Sequence, residues 1–147
     1  MSWEIFVSGT PAPQGSKRHV GGGRMVESSK AVGPWREAVR AETQRTVHGC
    51  PPIAGPVNVA VTFYVKRPAG HYGTGRNAST IKLSAPRRPS VKPDLDKLAR
   101  AVLDGLTEGG AFGDDAQVVG LIAAKWYGTP RCRIFVTSTD VAEEPVL

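Results

Sequence analysis

Several residue types and patterns that would assign this chain to a common class are scarce or missing. Its 147 residues include only two cysteines, Cys50 and Cys132, which lie far apart, and three scattered histidines. Structural zinc sites need closely spaced ligands, so reduced cysteines in a cytoplasmic protein are expected. The sequence has no run of about 18 apolar residues, which argues against a membrane span. Residues 1–17 also lack the pattern of a signal peptide.

Acidic residues are scarce in the first part of the chain and concentrated in the second. Residues 1–92 hold 14 basic and 4 acidic side chains, whereas residues 93–147 hold 5 basic and 9 acidic ones. A chain that separates its charges in this way can bind a polyanion with one surface and a cation with another. The alternative is a basic face that serves solubility alone.

Apolar patterning predicts an α+β fold with a single domain over residues 1–147. Alternating and β-branched residues predict four strands, at 3–9, 57–65, 116–128 and 131–139. The last two are expected to form a hairpin. Helices are predicted from Pro34 to Gly49 and over 94–107. The expected order is β-α-β-α-β-β, with a small mixed sheet of about four strands and two main helices.

Two long segments rich in Gly, Pro and Ser, at about 11–33 and 66–92, are predicted to be basic flexible loops. The second has seven basic residues and no acidic residue, which suits contact with a phosphate backbone. A disordered linker is the alternative. The residues predicted to bind DNA are Lys17, Arg18, Arg24, Lys66, Arg67, Arg76, Lys82, Arg87, Arg88, Lys92 and Lys125. For Lys125, which interrupts an apolar strand, the alternative is an ion pair, which the sequence favours slightly.

Four aspartates form two close pairs within this basic protein. Asp94 and Asp96 begin the second helix, where N-capping and the helix dipole would also explain them. Asp114 and Asp115 follow a Gly-rich turn, where paired acids have no comparable structural role. Carboxylate oxygens are the ligands that Mg²⁺ prefers, and Mn²⁺ is possible in its place. We therefore expect these aspartates to bind metal for phosphodiester hydrolysis.

Two cations share the second helix with the first pair of aspartates. Arg100 lies four residues after Asp96 and four before Asp104, and Lys97 lies three residues after Asp94. Arg100 could form an ion pair with either acid along the helix. Alternatively, Arg100 could stabilise negative charge on a phosphate during cleavage, and Lys97 is a second candidate for that role.

The segment KPDLDKLARAVLDGLTEGGAFGDDAQVV (92–119) resembles the signature of the RusA family of Holliday junction resolvases. That signature is Asp-x-Asp-Asn-Leu-x-Lys, a helix ending in Asp-x-Leu, and Asp-Asp-x-Gln after a short break. The Gly-x-Pro-x-Pro-x-Gly loop at 9–15 is also similar. The resemblance implies a RusA-like, homodimeric, Mg²⁺-dependent endonuclease that resolves four-way DNA junctions by paired symmetrical nicks in recombination and repair. Members of the family are frequently encoded by phages and prophages.

The resemblance also implies roles for individual residues. Asp94, Asp96 and Asp115 match the family's metal-binding catalytic aspartates, and Asp114 matches the neighbouring acid. Arg100 stands where the family has its catalytic lysine, and Lys97 stands in the usual asparagine position. Arginine keeps the charge but cannot donate a proton as a general acid.

A homodimer has an independent rationale, because a four-way junction has two-fold symmetry and cutting opposing strands takes two symmetry-related sites. Two other functions are consistent with the residues. One is a branched-DNA-binding protein that does not cleave, and the other is a basic scaffold protein associated with the nucleoid or with RNA.

Overall fold

The chain forms a four-stranded mixed sheet with two helices packed against one face. The structure, a computed structural model, describes residues 1–15, 17–19, 25–27 and 30–139, with the backbone alone for 17–19 and 25–27. The strands are β1 (Ser2–Ser8), β2 (Lys17–His19), β3 (Met25–Glu27), β4 (Val57–Val65), β5 (Val118–Tyr127) and β6 (Arg131–Ser138). The helices are α1 (Val32–Thr46) and α2 (Leu95–Glu108). The predicted α+β fold and the order of its main elements are confirmed.

The order of strands in the main sheet is β1-β6-β4-β5. Strand β6 pairs antiparallel with β1 and β4, whereas β4 and β5 are parallel. The predicted hairpin between the last two strands is therefore wrong. Because β5 follows the α2 crossover, it returns parallel to β4, and the turn at 128–130 then passes over the end of β4. There the Gly128 amide donates to the Val65 carbonyl over 2.9 Å.

The two predicted loops contain local structure. Strands β2 and β3 pair antiparallel within 11–33, in a Gly- and Ser-rich stretch where strand propensity is weak. The 66–92 segment contains two single-turn 3₁₀ helices, Ala69–His71 and Gly75–Asn77. A bridge between Tyr72 and Ile81 closes this segment on itself.

The core lies between the helices and the inner face of the sheet. Strand β4 alternates as predicted, with Val57, Val59, Val61 and Phe63 buried. They belong to one apolar cluster with residues of both helices, including Trp35 and Val102. Among the described residues, no helix is long and apolar enough to cross a bilayer.

The two helices approach each other closely at Gly105. A Cβ atom added there would lie 2.6 Å from Val39 Cγ1 and 3.2 Å from the Arg36 carbonyl oxygen. A contact of 2.6 Å is sterically forbidden, so the small residue allows α1 and α2 to pack.

We expect Gly105→Ala to reduce the free energy of unfolding by about 1–3 kcal/mol, the usual cost of overpacking. The loss should appear even though alanine is favoured over glycine inside a helix by up to about 1 kcal/mol. Urea unfolding measures it. Gly33→Ala is the matched control, because Gly33 lies in α1 with nothing within 4 Å of an added Cβ. Equal stabilisation by both substitutions would contradict the proposed close packing.

Candidate metal and nucleic-acid site

The first pair of aspartates lies exposed at the start of α2. Asp94 occupies the predicted N-cap position with an extended backbone, yet its side chain makes no capping hydrogen bond. Its carboxylate instead lies 3.9 Å from Lys97 Nζ, and an exposed pair of this kind contributes about 0–1 kcal/mol. Asp96 is exposed in the first turn. Capping therefore does not account for the Asp94 carboxylate.

The loop at 9–15 packs beside this end of α2. The Gln14 amide donates to the Lys97 carbonyl over 3.0 Å, and Arg36 Nη1 donates to Gln14 Oε1 over 3.2 Å. The Gly-x-Pro-x-Pro-x-Gly loop and the Asp-x-Asp motif, which are separated by about eighty residues in sequence, are thus neighbours in the fold.

Both aspartates of the second pair are exposed, but they differ in that the Asp114 side chain caps a turn. Asp114 Oδ1 accepts a hydrogen bond from the Ala116 amide at 2.8 Å, and Gln117 completes a capping box at a single 3₁₀ turn, Asp115–Gln117. The Gln117 amide group also donates to the Ile53 and Gly55 carbonyls. The expectation that neither acid has a structural role is therefore wrong for Asp114. Asp115 is exposed at the first position of the turn.

The two aspartate pairs lie at opposite ends of α2 and β5. Lys125 Nζ, near the end of β5, contacts the Pro93 carbonyl at 2.7 Å, so Asp94 lies at that end. Asp115 precedes the first residue of β5 by three positions. Helix α2 spans about 20 Å, and a similar length of β5 separates Asp115 from Lys125. Within the described parts of the chain, no group of three or more His, Cys, Asp or Glu side chains could hold a metal ion.

Arg100 and Asp104 occupy the length of α2 between the two pairs. Burial raises the pKa of the Asp104 carboxyl above its ordinary value of 3.8, an effect that Arg36 and Arg100 oppose and Asp115 adds to. Asp104 is thus an electrostatic neighbour of Asp115. We did not predict Asp104 as a site residue, although its spacing of four from Arg100 on one helical face was the available signal.

Part of the basic 66–92 segment folds back onto β5. The Arg67 guanidinium lies 4.2 Å from the centroid of the Tyr127 ring, and that of Arg88 lies 3.8 Å from the centroid of the Trp126 ring. Lys125 also contacts this segment, since its ammonium donates to the Val91 carbonyl at 2.8 Å. These three predicted DNA-binding residues therefore make intramolecular contacts, and their contact with DNA stays a prediction.

The other predicted cations of this segment are exposed. They are Lys66, Arg76, Lys82, Arg87 and Lys92. Lys66 and Arg67 line an open cleft of about 680 Å³ together with Tyr72 and Tyr127. A cleft with cationic and aromatic walls is suited to a nucleic-acid backbone and its bases. Arg24 lies outside the described residues, as do the side chains of Lys17 and Arg18.

Comparison with known proteins identifies one family. The family model described as Endodeoxyribonuclease RusA matches residues 8–137, which include the Gly-x-Pro-x-Pro-x-Gly loop, both helices and all four aspartates. No curated protein matches the chain.

The difference in structural role between Asp114 and Asp115 can be tested by measuring the free energy of unfolding. We expect Asp114→Ala to lower the free energy of unfolding by about 0.5–2 kcal/mol, because it removes the cap of the turn. Asp115→Ala, at an exposed position without a capping bond, should change stability by no more than about 0.5 kcal/mol. Urea unfolding of both variants measures the difference. Equal losses would show that the described capping box does not distinguish the two acids.

Proposed function

Since the chain belongs to the RusA family of endodeoxyribonucleases, we propose that it resolves four-way DNA junctions by Mg²⁺-dependent hydrolysis of two opposing phosphodiester bonds. The observation that carries the proposal is the exposure of Asp94, Asp96 and Asp115, the aspartates that match the family signature. None of the three carboxylates accepts a hydrogen bond within the described structure. We place this activity in the cytoplasm of a bacterial or phage-infected cell, in recombination and repair.

The donor set fits a hard divalent cation, because it consists of carboxylate oxygens with room for waters and phosphate oxygens. Asp94 and Asp96 would hold Mg²⁺ at one end of α2, and Asp115 would contribute from the other end. Mg²⁺ held by these carboxylates would supply polarisation of the scissile phosphate and activation of the attacking water. Mn²⁺, which accepts the same oxygen ligands, is expected to substitute.

A homodimer would bring the separated carboxylates together. One chain keeps Asp94 and Asp115 roughly 20 Å apart along α2 and β5. In a two-fold dimer with the two chains antiparallel, the Asp94 end of one protomer meets the Asp115 end of the other. Two sites then form, each with carboxylates from both protomers, which matches the two cuts that a junction requires.

Strand β5 is the surface that best supports such a dimer. It is an edge strand of the four-stranded sheet, and it exposes Val119, Leu121 and Ile122 by 66%, 45% and 74%. An apolar edge strand is normally covered or paired. The 66–92 segment contacts β5 near Lys125 and Trp126, whereas the exposed residues in the middle of the strand could pack against a second copy. A two-fold axis there reverses the strand direction and produces the arrangement described above.

The remaining residues of the chain have roles consistent with phosphate chemistry. Arg100, exposed between the two carboxylate groups, would stabilise negative charge on the phosphate without donating a proton. Lys97, held near Asp94, offers a second cation at the same end. The exposed cations of the 66–92 segment would bind the DNA backbone, with an affinity that falls as salt rises.

A branched-DNA-binding protein that does not cleave is the alternative function. It is favoured by one observation, that one chain in its described part holds no cluster of three potential metal ligands. The two functions differ in whether Mg²⁺ produces nicked products.

A cleavage assay on a synthetic four-way junction tests the proposal. We expect the wild-type protein to cut opposing strands only when Mg²⁺ is present. Asp115→Asn should lower the rate by more than about 100-fold, because loss of a ligand exceeds the roughly 10–100-fold effect of changing a ligand's hydrogen-bond partner.

Junction binding in a chelator is the control, since Asp115→Asn should bind as tightly as the wild type. Glu108→Gln is a matched variant on α2 that should keep activity, because Glu108 is engaged with Arg36 at 3.7 Å. Wild-type binding without any Mg²⁺-dependent cleavage would contradict the proposal and favour the alternative.

A further inference from the structure

Lys125 is the one cation of β5, and its side chain hydrogen-bonds to backbone carbonyls of its own chain. Its ammonium donates to the Val91 carbonyl at 2.8 Å and to the Pro93 carbonyl at 2.7 Å. Both acceptors belong to the segment that leads into α2, and Pro93 is followed directly by Asp94. The side chain is half-buried, so the contact with Pro93 is partly shielded from water.

The backbone of Lys125 contacts the same segment. Its carbonyl oxygen accepts hydrogen bonds from Arg88 Nε at 3.2 Å and from Arg88 Nη2 at 2.8 Å. The Arg88 guanidinium is also stacked over the Trp126 ring. Residues 88–93 are therefore attached to β5 through the ammonium and the carbonyl group of Lys125 and through the Trp126 ring.

We propose that Lys125 is a positioning residue for Asp94, which binds the Val91 and Pro93 carbonyls and so fixes the backbone from which the Asp94 carboxylate projects. Asp94 needs such support, because it makes no capping bond of its own. Its carbonyl accepts the first hydrogen bond of α2, from the Leu98 amide at 3.1 Å. Support from β5 thus holds Asp94 at the turn where the chain enters the helix. This inference rests on the proposed function insofar as Asp94 binds metal.

The proposal replaces the DNA contact that the sequence predicted for Lys125. A lysine that binds a phosphate must direct its ammonium to the DNA, whereas this ammonium is directed at two carbonyl groups of its own chain. Moving it to DNA would leave a partly buried carbonyl without its donor, which is costly. The two roles predict different consequences for the same substitution.

Lys125→Met, which keeps the length of the side chain and removes its donors, separates these roles. We expect the Mg²⁺ concentration for half-maximal junction cleavage to rise by about tenfold or more. Junction affinity in a chelator should change less than about twofold, and its salt dependence should be unaltered. Amide hydrogen exchange of residues 88–98 should accelerate by about tenfold. Lys125→Arg, which retains hydrogen-bond donors, should keep the Mg²⁺ requirement and the exchange rates close to those of the wild type.

Lys82→Met is the matched control, since Lys82 is an exposed lysine of the same segment. It should weaken junction binding and reduce the salt slope by about 0.9, with the metal requirement and the exchange rates unchanged. If Lys125→Met shows that pattern instead, Lys125 contacts DNA and the proposal is wrong. Unchanged exchange and unchanged metal requirement would also overturn it.

Two further outcomes remain decisive. If circular dichroism shows that Lys125→Met does not fold, Lys125→Gln, which is shorter and uncharged but polar, is judged by the same measurements. If the wild-type protein itself does not cleave junctions, the proposed function fails. The role of Lys125 in ordering residues 88–98 is then judged by hydrogen exchange alone, where faster exchange supports it and unchanged exchange refutes it.

Discussion

Helix α2 constrains how the proposed metal site could form, because it separates the two pairs of aspartates in space. Its 14 residues run beside β5 from Asp94 and Asp96 at one end toward Asp115 at the other. Within the described residues no three potential metal ligands come together, and the lengths of α2 and β5 place Asp94 and Asp115 roughly 20 Å apart. If they act on one phosphate, the missing ligands must come from a second chain.

The cations of the basic part of the chain fall into two groups that the sequence does not separate. Arg67, Arg88 and Lys125 attach the 66–92 segment to β5 through aromatic rings and carbonyl groups. Exposed cations such as Lys82 and Arg87 remain available to a phosphate backbone. The first group therefore orders the surface on which the second group is displayed, and it anchors the backbone that leads into Asp94.

Much of the fold could be predicted from local patterns. Alternation in β4 and helical spacing in α2 gave elements that the structure confirms, since both patterns follow from burial of one face. Strand pairing could not be predicted, because the short turn between β5 and β6 has the sequence of a hairpin turn even though β5 pairs with β4. At the candidate site, spacing singled out the four aspartates, whose metal binding stays a prediction. It did not reveal the capping role of Asp114, which depends on Gln117 and on carbonyls of residues 53 and 55. The contacts of Lys125 were likewise invisible, because the segment it binds is more than thirty residues away in sequence.

The claim that each site takes carboxylates from two protomers is tested most directly by mixing two inactive variants, Asp94→Asn and Asp115→Asn. In a mixed dimer, one site contains both substitutions and the other contains neither. Co-refolding equal amounts of the two variants should therefore make about a quarter of all sites intact. Junction nicking should recover to about a quarter of the wild-type activity, although each variant alone is inactive. If the mixture stays inactive while mixed dimers form and bind the junction, each site is built within one chain and this account is wrong.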